Sequence, residues 1–134
     1  MHKPIFNIQM KKDRIIYWIS TSLAMLLGGV SGFLYLTMPQ MSEGFKHLGF
    51  SDHLRIELGV AKIIGLLILL IPSVPVRIKE WAYAGFGITF ISAFVAHAAV
   101  DGVATAFMPV VAFILLAVSY MYFHKIQSPV AVKA

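Results

Sequence analysis

Apolar residues dominate positions 15–37, 54–71, 81–100 and 106–123, and none of these runs alternates in polarity with a period of two. Only helices and closed barrels satisfy backbone polar groups in a bilayer, and barrel strands alternate; uninterrupted runs of about 20 apolar residues therefore predict membrane-crossing helices. The first run follows Lys11, Lys12 and Arg14 as a signal peptide would. It is too long for one and no small-residue cleavage site follows, so it reads as a retained span. The second run carries Glu57 and Lys62 near its start and closes at Pro72 and Pro75; the third bears His97 and ends at Asp101-Gly102. Thr105 is the expected N-cap of the fourth, with Pro109 in its opening turn. Between the first two spans, Met38, Met41, Phe45 and Leu48 recur at helical spacing, which predicts a short interfacial helix, either a lipid-facing connector or a lid.

Composition agrees with the pattern. The 134 residues are 59% hydrophobic and 13% charged, with a mean hydropathy of +0.82. The expected fold class is all-α: an integral membrane four-helix bundle forming a single domain over residues 1–134. Eight of the eleven Lys and Arg (Lys3, Lys11, Lys12, Arg14, Arg77, Lys79, Lys125, Lys133) fall on the side of the termini, so both termini are expected to be cytoplasmic. Tyr17, Trp18, Trp81, Tyr83, Tyr120 and Tyr122 are expected as an aromatic belt on that side. The net charge of +5 is thus explained by topology and anionic lipid, and no nucleic-acid partner is expected. With no cysteine, disulfides, thiolate metal sites and cysteine nucleophiles are excluded.

Lipid-embedded helices associate through small residues. The stripe Thr21, Ala24, Gly28, Ser31, Tyr35 is expected to meet Gly85, Thr89, Ser92, Ala96, and Gly59 and Gly65 leave space on either side of Lys62. Ionisable groups within spans are costly and seldom face lipid. Glu57, Lys62, His97 and Asp101 all fall in the slab nearest the short helix, since Lys62 lies about 7.5 Å deeper than Glu57 at helical rise and His97 one turn deeper than Asp101. A carboxylate at a helix C-terminus needs a compensating cation or proton, which His97, or Lys62 or Arg55 from the second span, would supply to Asp101. The expected catalytic set is His97, Asp101 and Glu57, with Glu57 balancing Lys62. Lys62, Tyr35, His47 and Arg55 are the expected ligand-binding set. No metal is assigned, because no H-E-x-x-H or comparable signature is present.

The segments Glu57-Leu58-Gly59-Val60-Ala61-Lys62-Ile63-Ile64-Gly65-Leu66 and Lys79-Glu80-Trp81-Ala82-Tyr83-Ala84-Gly85-Phe86, followed by His97 and Asp101-Gly102, resemble the DoxX-like membrane protein family. The resemblance runs from Tyr17-Trp18 to Ser119-Tyr120 and highlights Glu57, Lys62, His97 and Asp101. It implies a bacterial inner-membrane, multi-pass protein, distantly similar to the DoxX and DoxD subunits associated with thiosulfate:quinone oxidoreduction. The lack of cysteine speaks against a thiol mechanism for sulfur chemistry.

The leading expectation is a protein that binds an amphipathic small molecule, quinone-like or isoprenoid-like, as the membrane component of an oxidoreductase system. A quinone is the candidate cofactor, a redox protein the candidate partner, and the lipid bilayer the surroundings, with a homo-oligomer left open. Two other readings stay open: a structural or anchoring subunit, and a cofactor-free membrane isomerase using a buried carboxylate or histidine.

Overall fold

The computed structural model describes residues 3–127, and every regular element among them is helical. The elements are α1 (Lys3–Ala24), a π-helical turn (Met25–Gly29), α2 (Ser31–Thr37), α3 (Pro39–His47), α4 (Asp52–Leu70), α5 (Val76–Asp101), a 3-10 turn (Val103–Ala106) and α6 (Phe107–Gln127). The helix carrying the first apolar run begins earlier than the run itself, taking in Lys11, Lys12 and Arg14. The Lys3 side chain and Lys133, both used in the charge asymmetry, lie outside the described residues. Three stretches, Met10–Thr37, Val76–Asp101 and Val103–Gln127, are long and apolar enough to cross a membrane. The remaining long helix, α4, holds Arg55, Glu57 and Lys62 among its apolar positions.

Local chemistry sets the boundaries. Ser51 caps α4 by accepting the Leu54 N–H at 3.2 Å, and Pro39 and Pro75 open α3 and α5, where a missing N–H costs little. Gly102 ends α5 with φ 98°, a left-handed conformation that only glycine adopts freely. Thr105 does not cap α6 as expected. It sits one turn earlier and its hydroxyl donates to the carbonyl of Gly102 at 2.7 Å, serving the orphan acceptors left by the end of α5.

The π turn decides which helices meet. Its extra residue rotates everything after Met25 relative to α1, so the first apolar run presents one face to α6 and, beyond the turn, another to α4. Below the turn, Tyr17, Thr21 and Ala24 are buried against α6, where Thr21 and Ser119 share a hydrogen bond of 2.5 Å and Tyr83 joins Ser119 at 2.6 Å. Above it, Gly32 crosses Gly59. The expected pairing of the first-span stripe with Gly85, Thr89 and Ser92 is therefore corrected: nothing stands within 4 Å of a Cβ built on Gly85. Phe86 and Phe90 fill the interior instead, lying over Gly65 and Gly28, whose missing side chains make room for the rings. The aromatic belt needs correction too. Trp81 and Tyr120 are exposed, but Tyr17 and Tyr83 are core residues.

Ser119 is the hub of the only buried side-chain network joining α1, α5 and α6 among the described residues. Ser119→Ala is expected to lower stability by about 1–2 kcal/mol, because an interhelical hydrogen bond in lipid contributes about 0.6–1.7 kcal/mol and two hydroxyls lose a partner together. Reversible detergent unfolding measures it. Ser92→Ala, at an exposed position, should change little.

Candidate functional site at the α3 end

Lys62 is held where two backbones nearly touch. A Cβ on Gly32 would lie 2.6 Å from the Lys62 Cβ and 2.7 Å from the Gly59 carbonyl oxygen, so only glycine at both positions allows α2 and α4 this close. The Lys62 side chain is consequently 6% exposed. Its ammonium donates to Ser31 Oγ at 3.0 Å and to the Tyr35 hydroxyl at 2.9 Å. Ser31 in turn donates to the Gly28 carbonyl at 2.6 Å, which leaves its lone pairs free to accept from Lys62. No carboxylate takes part.

The expected counter-charge, Glu57, is exposed and has no ion pair among the described residues. The reason is angular. Five positions along an α-helix correspond to about 140° around it, so depth brought Glu57 near Lys62 while azimuth turned it away.

Arg55 likewise departs from the expected ligand-binding role. Its guanidinium donates to Asp52 Oδ1 at 2.9 Å and to the backbone carbonyl of Tyr35, in the last turn of α2, where a cation compensates orphan carbonyls. Asp52 also accepts from Ser42 on α3 at 3.1 Å. The hydrogen bond from Arg55 and then that from Ser42 hold the Asp52 carboxyl below its usual range, so this brace is complete at neutral pH. Arg55 thus positions the backbone that carries Tyr35.

On the other side, Asp101 ends α5 and accepts a 2.7 Å hydrogen bond from His47 Nε2, at the last residue of α3. His97 Nδ1 lies 4.0 Å from the second Asp101 oxygen, within ion-pair range and beyond hydrogen-bond reach. Asp101 thus has His97 at ion-pair distance, as expected from their spacing, while its direct hydrogen-bond partner is His47 from another helix.

Both groups meet at one cavity of about 470 Å³, with α3 as a wall, whose lining includes Tyr35, His47 and His97 among Phe45, Leu48 and Leu58. Tyr35 is the link, since its hydroxyl accepts from Lys62 and its ring packs edge-on against Phe45 at 4.9 Å. A second, almost wholly apolar groove of about 340 Å³ runs between α4 and α5 past Lys62, Gly65, Gly85 and Trp81. Leu58 and Thr89 border both spaces. The small residues of α5 leave room there instead of packing against the first span.

Three contributors escaped the sequence reading. Ser31 stood in a packing stripe, although its spacing of four from Tyr35 already marked a polar helical face. Asp52 and Ser42 lie in the connection between spans, where their pairing depends on how α3 folds back. At the opposite end of the molecule, Glu80 pairs with His124 at 2.7 Å and accepts from Tyr120 at 3.0 Å; nothing in the spacing of positions on two different spans signalled that cluster.

No curated protein and no solved structure shows significant similarity to the chain. The model of the DoxX-like family matches residues 19–119, a stretch that holds α2 to α5 and every side chain of the α3-end cavity. A match over that much of the sequence, in an all-α chain with several membrane-length apolar helices, shows a multi-pass membrane protein that belongs to the DoxX-like family.

Proposed function

We propose that the protein crosses a bacterial inner membrane four times, with both termini cytoplasmic, and binds an amphipathic small molecule in the α3-end cavity as the membrane component of an oxidoreductase system. The fourth crossing is α4. Its one deep cation turns inward to Ser31 and Tyr35, while Val60, Ile64, Leu67 and Leu70 are exposed and apolar, the pattern of a lipid-facing helix. Lys11, Lys12, Arg14, Arg77, Lys79 and Lys125 at the far end support the orientation.

The observation that carries the reading is a cavity whose few polar groups stand on separate walls of an apolar space, the usual character of a small-molecule site. A hydroxyl that accepts from an ammonium is a better donor through its own proton, so Tyr35 would donate to a ligand oxygen with Lys62 behind it. His97, across the cavity, would take a proton from the ligand or return one to it. His47, tied to Asp101, would hold α3 closed as the lid. A quinone, the best fit to this donor set, supplies two-electron redox chemistry when bound, with electrons coming from a partner protein. Its isoprenoid tail would lie in the α4–α5 groove.

The test is ligand retention. Wild type, Tyr35→Phe and His97→Ala are extracted from native membranes in mild detergent, and bound quinone per protein is measured by mass spectrometry. About three- to tenfold less quinone is expected in each variant, the loss that a single hydrogen bond of about 0.5–1.5 kcal/mol produces. Equal retention in all three would remove the proposal and favour an anchoring subunit, in which the Lys62 hydrogen bonds only fix helix register.

A further inference from the structure

The end of the molecule remote from α3 contains a smaller cavity, about 150 Å³, lined by Arg14, Tyr17, Trp18, Lys79, Phe123 and Gln127 together with Pro72 and Ile126. It differs in kind from the other cavities. Its lining combines two cationic side chains and an amide with three aromatic rings and holds no carboxylate. The nearby acid Glu80 is already engaged by His124 and Tyr120. Lys79 is 4% exposed, and its ammonium donates to the carbonyls of Ile68 at 2.8 Å and Leu69 at 3.2 Å. An ammonium has three donors, so one N–H remains beyond these two carbonyls. Arg14 is exposed and has no ion-pair partner among the described residues. Here α1 and the end of α4 diverge, because the π turn directs α1 to α6 and only the later part of the span to α4.

We propose that this pocket binds the headgroup phosphate of an anionic phospholipid. A guanidinium offers a planar fork that matches phosphate oxygens, and a buried ammonium beside it adds a second donor of fixed position. Basic pockets between membrane helices are suited to such headgroups. The space takes a headgroup and no more, so the acyl chains stay in the bilayer along exposed apolar residues of the flanking helices, Ile15 and Ile19 on α1 and Leu67 and Leu70 on α4. Bound this way, the lipid joins α1 to α4 and α5 at the end where their own contacts are weakest. Arg14, Phe123 and Gln127 lie outside the region matched by the family model, and the site is independent of the α3-end cavity.

The experiment reconstitutes the full chain in phosphatidylcholine nanodiscs with a minority of phosphatidylglycerol and counts retained lipids by native mass spectrometry. Wild type is compared with Arg14→Gln and with Arg77→Gln, an exposed basic residue outside the lining. Retained phosphatidylglycerol is expected to fall about fivefold in Arg14→Gln, the effect of one basic side chain near an anionic lipid, and to be unchanged in Arg77→Gln. Lys79→Gln should reduce it further; since Lys79 is buried and that variant risks misfolding, the comparison of the two arginines carries the test. Equal loss in both arginine variants would show diffuse attraction and overturn the site, as would no loss in either. Displacement by inorganic phosphate with no preference for phosphatidylglycerol over phosphatidylcholine would overturn the lipid assignment.

Discussion

Lys62→Met is expected to weaken binding of a short-chain benzoquinone by about 10- to 100-fold, because a hydrogen bond backed by a charge contributes about 1.5–3 kcal/mol. The variant should fold. Methionine follows the lysine stem across Gly32, and it removes a buried cation that no carboxylate balances, which offsets the hydrogen bonds lost at Ser31 and Tyr35. The loss arises through Tyr35, whose hydroxyl no longer accepts from an ammonium and donates less strongly into the cavity. Titration of tryptophan fluorescence reports binding, since Trp81 lines the adjoining groove. The same variant separates two accounts of Lys62. A ligand-directed lysine gives lost affinity at undiminished melting temperature. A lysine that merely fixes helix register gives the reverse.

Gly32→Ala is expected to be among the most damaging single-methyl changes in the chain. The added carbon would stand 2.7 Å from the Gly59 carbonyl oxygen, a backbone atom that cannot rotate aside, and 2.6 Å from the Lys62 Cβ. Overpacking of this sort costs about 1–3 kcal/mol. The strain can be relieved only by moving α2 away from α4, which also lengthens the Lys62–Tyr35 hydrogen bond, so stability and quinone binding should fall together. Gly85→Ala is the matched control. Nothing lies within 4 Å of its Cβ position, and alanine in a helix interior should stabilise by about 0.5–1 kcal/mol. Thermal unfolding in detergent measures both; a Gly32→Ala variant as stable as wild type would show that the two helices do not cross at this distance.

How far the site could be read from residue types alone depends on which coordinate was needed. Depth was legible. The cost of desolvation singled out Lys62 and His97; Lys62 lines the α4–α5 groove and His97 the α3-end cavity. The periodicity of Met41, Phe45 and Leu48 gave the short helix, with Phe45 buried on its inner face. Azimuth was legible in part. Tyr17 follows the same face as Thr21, Ala24 and Gly28 at spacings of four, three and four, which marks it as interior; treating it as a belt residue relied on its height in the membrane alone. Glu57 was misjudged in the same way. Partnership between helices was not legible. The π turn over Met25–Gly29 has no period to betray it, yet it decides that Thr21 finds Ser119 while Ser31 and Tyr35 find Lys62. Asp101 was recognised as needing a compensating group, but its hydrogen-bond partner, His47, comes from another helix.

The most direct measurement is the density of the protein purified from native membranes into nanodiscs without detergent exchange. An elongated non-protein feature is predicted, its head between Tyr35 and His97 and its tail leaving past Leu58 and Thr89 into the groove between α4 and α5. Side chains of α3 collapsed into that space, or Lys62 and His97 turned outward to acyl chains, would contradict the account.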